Sequence, residues 1–257
     1  MGAGSVFYTG MDERLVGMPK NRCIALSAFG LVLLWASASP AAQPSTSSEE
    51  KGRIEFTEFI FDFGFIPQGA VFSHNFHARN VGRGILNIVK VEPTCGCTSV
   101  PLDQAFLKPK ETVDIRVNFD SQKFQGSINK RIKVLSTDPE NGLVELFLKG
   151  VVGRPPASIE LSGSALIFNE IGIVSREMHI KNLTAQEITL AVLPLADTFF
   201  ETTVSPLKIG PQSEAKLTVR LKGKPPLGEY KSSITLESTG EKVERLSIPI
   251  TGTGYAR

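Results

Sequence analysis

One stretch of the 257-residue sequence sets chemistry-bearing side chains almost side by side: Cys95-Gly96-Cys97. Three arrangements suit this spacing. A bond between the two sulfurs closes a small strained ring; strained disulfides are the reducible ones, so a redox role would follow. Two thiolates this close can instead hold Cu(I), which prefers soft ligands. Zinc would want four ligands, and the other two are not evident. The third arrangement is structural: two small, half-buried side chains at a sharp turn between strands, with Gly96 supplying backbone freedom. An oxidising compartment favours a disulfide over free thiols without favouring catalysis.

Other motifs are weaker. His74 and His77 suggest a metal pair, but residues three apart on a strand point to opposite faces. His77 also recurs as His179, which fits a shared outward-facing polar position. Val81-Gly82-Arg83-Gly84 is a turn before a strand, whereas a phosphate loop needs a following helix. No GxSxG, HExxH or shielded carboxylate pair is present. Asn182-Leu183-Thr184 fits the glycosylation triplet, which matters only in a eukaryotic secretory pathway. Lys123, Lys130, Arg131 and Lys133 could form a mildly basic binding face, or a solvated surface with edge-protecting lysines.

The elements that position these residues repeat at a constant offset of 102 residues. His77-Ala78-Arg79-Asn80 matches His179-Ile180-Lys181-Asn182, Pro109 matches Pro211, and Gly126 matches Gly228. Alternation and β-branched residues mark strands at Arg53–Phe61, Val71–Asn80, Ile85–Val91, Val113–Phe119, Ser127–Ser136 and Leu143–Val151. Asp62-Phe63-Gly64 reads as a break after the first. The second copy replays this order without the cysteines, since Cys95 and Cys97 fall opposite Asp197 and Phe199. No helical period is sustained. The expected fold is all-β: two tandem seven-stranded immunoglobulin-like β-sandwiches after an N-terminal signal peptide.

The N-terminus reads as a signal. Lys20 and Arg22 precede a mostly apolar run of 13 residues, Cys23–Trp35, and Ala36-Ser37-Ala38 offers small residues for cleavage. That run is short of the roughly 20 residues a membrane-spanning helix needs. Residues 1–38 are therefore the signal region, with Met18 as an alternative start. Residues 39–52 read as a flexible leader, 53–153 as the first domain, 154–158 as a linker stiffened by Pro155-Pro156, and 159–257 as the second domain. The whole chain carries a formal charge of +2, and removing the signal leaves it nearly neutral. That gives no electrostatic case for nucleic acid.

Phe61-Asp62-Phe63-Gly64-Phe65-Ile66-Pro67-Gln68-Gly69, Phe76 to Gly82, Ile85-Leu86-Asn87-Ile88 and Cys95-Gly96-Cys97-Thr98 resemble the bacterial DUF1573 family. Leu107-Lys108-Pro109 and Gly126 fit as well. The resemblance spans roughly residues 56–151, and the second copy is a more distant relative. The family is similar to the ASH and PapD-like immunoglobulin modules, which implies a sandwich used for binding or assembly and no settled activity.

The expected function is that of an exported, non-enzymatic protein-binding or structural module of the bacterial cell envelope, without cofactor. Its partner would be an envelope or surface protein, and membrane contact would come only through an uncleaved signal peptide. The periplasm or cell envelope is the expected location, with release outside the cell as the other. The alternative is a thiol-redox or Cu(I)-binding protein acting through Cys95 and Cys97.

Overall fold

The computed structural model describes residues 50–255 except 97, 101, 103, 104, 171 and 173. The expected signal peptide and most of the expected leader lie outside the described residues. Strands of the first half are β1 (Ile54–Phe56), β2 (Ile60–Ile66), β3 (Val71–Asn80), β4 (Leu86–Pro93), β5 (Thr98–Ser99), β6 (Phe106–Leu107), β7 (Thr112–Asp120), β8 (Gly126–Ser136) and β9 (Leu143–Val152). The second half continues with β10 (Ile159–Leu161), β11 (Leu166–Phe168), β12 (Ser175–Asn182), β13 (Ile188–Val192), β14 (Phe200–Ser205), β15 (Lys208–Ile209), β16 (Glu214–Leu221), β17 (Gly228–Thr239) and β18 (Val243–Gly254). Each half contributes a four-stranded sheet, β1-β3-β7-β5 and β10-β12-β16-β14. The other strands form one ten-stranded sheet, β15-β13-β17-β18-β2-β9-β8-β4-β6, with β11 beside β18. The architecture is an all-β, immunoglobulin-like sandwich fold.

Alternation sets the faces. On β3 the even-numbered Phe72, His74, Phe76 and Ala78 are buried, and Phe72, Phe76 and Ala78 meet Phe63, Ile132, Leu146 and Leu148 of the large sheet in one apolar cluster. Met178, Ile180, Leu217 and Val219 meet Ile234, Leu236, Ile248 and Ile250 in a second. Burying each such side chain contributes about 1.5–3 kcal/mol.

The repeat rests on a buried asparagine. The Asn80 side-chain amide donates to the Gly84 and Leu107 carbonyls at 2.8 and 2.9 Å. Asn182 donates to Gln186 and Ile209, the same positions one repeat on, at 2.7 and 2.9 Å. Behind Pro109 and Pro211, Lys110 (φ 72°) and Gln212 (φ 57°) take left-handed conformations. Their amides donate to the Asn80 and Asn182 carbonyls. Asn182 is fully buried with its amide engaged, so the glycosylation triplet is a folding element.

Two expectations change. The leader was expected to run to residue 52, but Gly52 is buried. The Lys51 carbonyl also accepts from the Arg83 and Gly84 amides, so the chain is anchored by Lys51. The expected break at Asp62-Phe63-Gly64 is a strand: β2 runs through it with a bulge between Asp62 and Phe65. The interruption falls at residues 57–59 instead. Gly64 takes φ +66°, and a Cβ there would lie 2.0 Å from the Arg245 carbonyl oxygen. The bulge turns Phe63 into the first apolar cluster and Phe65 into the second.

The halves are therefore joined by more than Pro155-Pro156. β2 pairs in parallel with β9 on one side and with β18 on the other, Phe65 opposite Leu246. The Ser247 hydroxyl donates to the Phe63 carbonyl at 2.9 Å. A second seam lies across the outer face of β3 and β7. Arg116 makes a two-point contact with the buried Asp197 carboxylate, its Nη2 at 2.9 Å from Oδ2. The Ser232 hydroxyl donates to the same carboxylate, and the Asn75 side-chain amide donates to the Ala196 carbonyl at 3.0 Å. The Ser73 amide donates to the Ser233 hydroxyl at 3.0 Å.

Substitutions test these contacts and the buried carboxylate of Asp138. Gly64→Ala should lower stability by about 3 kcal/mol or more. Gly69→Ala, equally left-handed but with nothing within 4 Å, should cost only about 1 kcal/mol; urea midpoints compare the two. Asp197→Ala strands a partly buried guanidinium and should cost about 3 kcal/mol, with a double-mutant cycle against Arg116→Ala isolating the coupling. Asp138 gives a pH dependence. Burial alone would raise its carboxyl, but amide donors from Asn141, Ile54 and Glu140, with Arg53 beyond, hold it below its ordinary value. Its contribution is complete above the unfolded-state value of about 3.9 and is lost as pH falls through the lower native one. The stability deficit of Asp138→Asn at neutral pH should therefore shrink in acid.

Candidate functional site

The chain passes from the large sheet to the four-stranded sheet between Pro93, the end of β4, and Thr98, the start of β5. The Thr94 amide donates to the Arg131 carbonyl at 3.0 Å, and the Thr98 amide donates back to the Cys95 carbonyl at 3.3 Å. Cys95 Sγ lies 3.5 Å from the Thr98 hydroxyl. Cys95 is half-buried and disulfide-bonded. Its partner, like Cys97 itself, falls outside the described residues. Gly96 does not play the expected part: it is not among the left-handed glycines, and a Cβ on it would meet nothing within 4 Å. A shallow groove of about 400 Å³ runs alongside, lined by Val91, Glu92, Pro93, Thr94 and Lys133.

The four basic residues singled out in the sequence do not share a face. On β8, Arg131 and Lys133 project outward. Lys130 is on the opposite side, its ammonium 4.0 Å from the centre of the Phe124 ring. Arg131 pairs with Glu145 at 3.2 Å, and Lys123 sits exposed in the turn before β8. Lys133 faces Glu92 across the β4–β8 pair. A hydrogen bond from Lys90, with the charges of Lys90 and Lys133, keeps the Glu92 carboxyl below its ordinary value.

The histidines separate as the strand period requires. His74 is buried, stacked on Phe61 at 3.6 Å between ring centres, with Nε2 2.7 Å from Glu58 Oε1. His77 is exposed on the other face, Nδ1 2.6 Å from Asp114. His179 repeats that exposed position, 3.4 Å from Glu214.

The open sheet edges are where the halves differ most. β5 and β14 occupy the same place, each the last strand of its four-stranded sheet beside β7 or β16. β5 has two residues, whereas β14 has six. The Lys222 amide donates to the Phe199 carbonyl at 2.8 Å, which sets the phase of the β14–β16 ladder. Glu201, Thr203 and Ser205 turn their backbone groups toward β16, so Phe200, Thr202 and Val204 turn theirs away from it. In the first half the amide equivalent to that of Phe200 belongs to Thr98, and it is bonded to Cys95.

Charge differs in the same place. Arg220, Lys222 and Lys224 are exposed along and just beyond the end of β16, and none makes an ion pair among the described residues. Their first-half counterparts are Asn118, Asp120 and Gln122. No nucleophile or metal-ligand motif marks this region in the sequence. Its signal was the β-branched run Thr202-Thr203-Val204 without an internal lysine or proline.

Comparison with solved structures returns all-β neighbours at low identity. A protein of unknown function from Porphyromonas gingivalis shares 15% identity, covering 78% of this chain and 99% of its own, with a TM-score of 0.33. The ASH/PapD-like domain 7 of human CEP192 shares 12% over 47% of this chain and 98% of its own, at 0.35. The CupB2 chaperone of Pseudomonas aeruginosa shares 8% over 76% of this chain and 98% of its own, at 0.32. A search of curated protein sequences finds no match. Residues 54–152, the half that contains the cysteine turn, match the sequence profile of a protein family of unknown function, DUF1573.

Proposed function

We propose that this protein is an exported, non-enzymatic binding module of the bacterial cell envelope, built from two immunoglobulin-like sandwiches, residues 51–153 and 159–257, that act as one body. The observation that carries this reading is the double seam between the halves. Backbone pairing at β2 and the Asp197 network hold two sandwiches in fixed relation, as a protein that presents a surface to a partner requires. Open strand edges supply a way to bind, because an edge offers a row of unpaired backbone donors and acceptors. The signal-like N-terminus supports export.

A second reading, thiol exchange at Cys95, draws support from the disulfide. A sulfur already bonded to sulfur is not a thiolate for Cu(I), so the redox form of this alternative is favoured over the copper form.

Expressed in a Gram-negative host, the protein should be recovered from the periplasm with its N-terminus cut after Ala38 or near Ala42, as read by intact mass. Recovery of the uncut chain from the cytoplasm would overturn the exported reading. Thiol titration of the folded mature protein should find thiols only after reductant; free thiols without reductant would remove the redox reading.

A further inference from the structure

We propose that the free edge of β14 is the docking site of the protein, and that it takes an extended, acidic segment of a partner polypeptide as an added strand. This deepens the binding-module reading and rests on it. The repeat supplies the control. In the first half, the Cys95 turn cuts the equivalent edge to two residues and uses the Thr98 amide internally. Short edge strands of that kind resist pairing with other chains. In the second half the turn is absent and the edge runs six residues, Phe200-Glu201-Thr202-Thr203-Val204-Ser205. The backbone groups of Phe200, Thr202 and Val204 face away from β16, and no strand lies beyond β14 among the described residues. Lysine and proline, the usual guards of an edge, are missing from inside the strand.

Charge selects the occupant. Arg220 stands opposite Glu201 on the ladder, Lys222 is bonded to Phe199 at the strand's entry, and Lys224 follows two residues on. Three cations against the single carboxylate of Glu201 leave this end of the edge positive. The first half has no such cations at the matching positions. A strand carrying carboxylates would gain backbone hydrogen bonds along β14 and charge pairing at its start. The disulfide turn and the cation cluster are thus two halves of one arrangement, which closes one edge and leaves its twin open.

The test uses the mature chain, residues 39–257. The probe is a fluorescent peptide of alternating threonine and valine interrupted by glutamates, with a twin carrying lysines in their place. Anisotropy should show the acidic peptide binding at least about tenfold tighter than the basic one, with the difference shrinking in salt. Thr202→Pro removes an outward-facing amide that β16 does not use and should abolish binding. The triple variant Arg220→Glu/Lys222→Glu/Lys224→Glu should reverse the preference with the edge intact. Hydrogen exchange should slow at Phe200, Thr202 and Val204 when the acidic peptide is added. Equal affinity for the two peptides, undiminished binding by a folded Thr202→Pro protein, or protection elsewhere would overturn the proposal. Protection of β14 that grows with protein concentration and no peptide would also overturn it, by giving the edge to a second copy. A partner that binds the exported protein away from β14 would overturn the edge while leaving the binding-module reading intact.

Discussion

The fold turns on one short stretch, Phe63-Gly64-Phe65. Alternation alone would put Phe63 and Phe65 on the same face, and so into the same core. The bulge at Gly64 adds a residue and swings Phe65 into the other core. A side chain at 64 would collide with the Arg245 backbone, so the closeness of the two halves depends on its absence. Because β2 can pair with both β9 and β18, two sheets that would each have ended in an edge become one.

Once that seam is made, the outer face of β3 is partly covered. Ser73 and Asn75 stand on its polar face, yet Ser73 is buried and both meet the second half. The covering loop carries Asp197, which holds Arg116 and Ser232 together. Burial and the charge of Asp197 also push the nearby Tyr230 hydroxyl up from its ordinary pKa. Asp197 occupies the repeat position that Cys95 occupies in the first half. One place in the repeated pattern thus serves two ends: a disulfide turn at a sheet crossing, and an ionic seam between halves.

The same comparison separates what the module needs from what this chain adds. The buried Asn80 and Asn182, and the left-handed residues behind Pro109 and Pro211, do the same work twice, so they belong to the fold. The cysteine turn, the long β14 edge and the cations at Arg220, Lys222 and Lys224 each occur in one half only. They sit at equivalent corners, where a strand leaves the larger sheet for the smaller one.

The sequence by itself determined the all-β class, most strand positions and the repeat, because a period of two and a constant offset are local properties that need no knowledge of partners. It also placed His74 and His77 on opposite faces and marked the Cys95 turn as special to the first half. It misread Asp62-Phe63-Gly64 as a break, since a bulge glycine and a turn glycine look alike until the strand on the other side is known. It grouped Lys123, Lys130, Arg131 and Lys133 by closeness along the chain, while the pleat puts Lys130 opposite its neighbours and Glu145 pairs with Arg131. Only the tertiary structure decided that the two halves share a sheet, that Asp197 is a buried seam rather than a surface acid, and that β14 keeps an open edge. Each of these is set by which strand lies alongside another, and that is fixed by contacts between residues far apart in the chain.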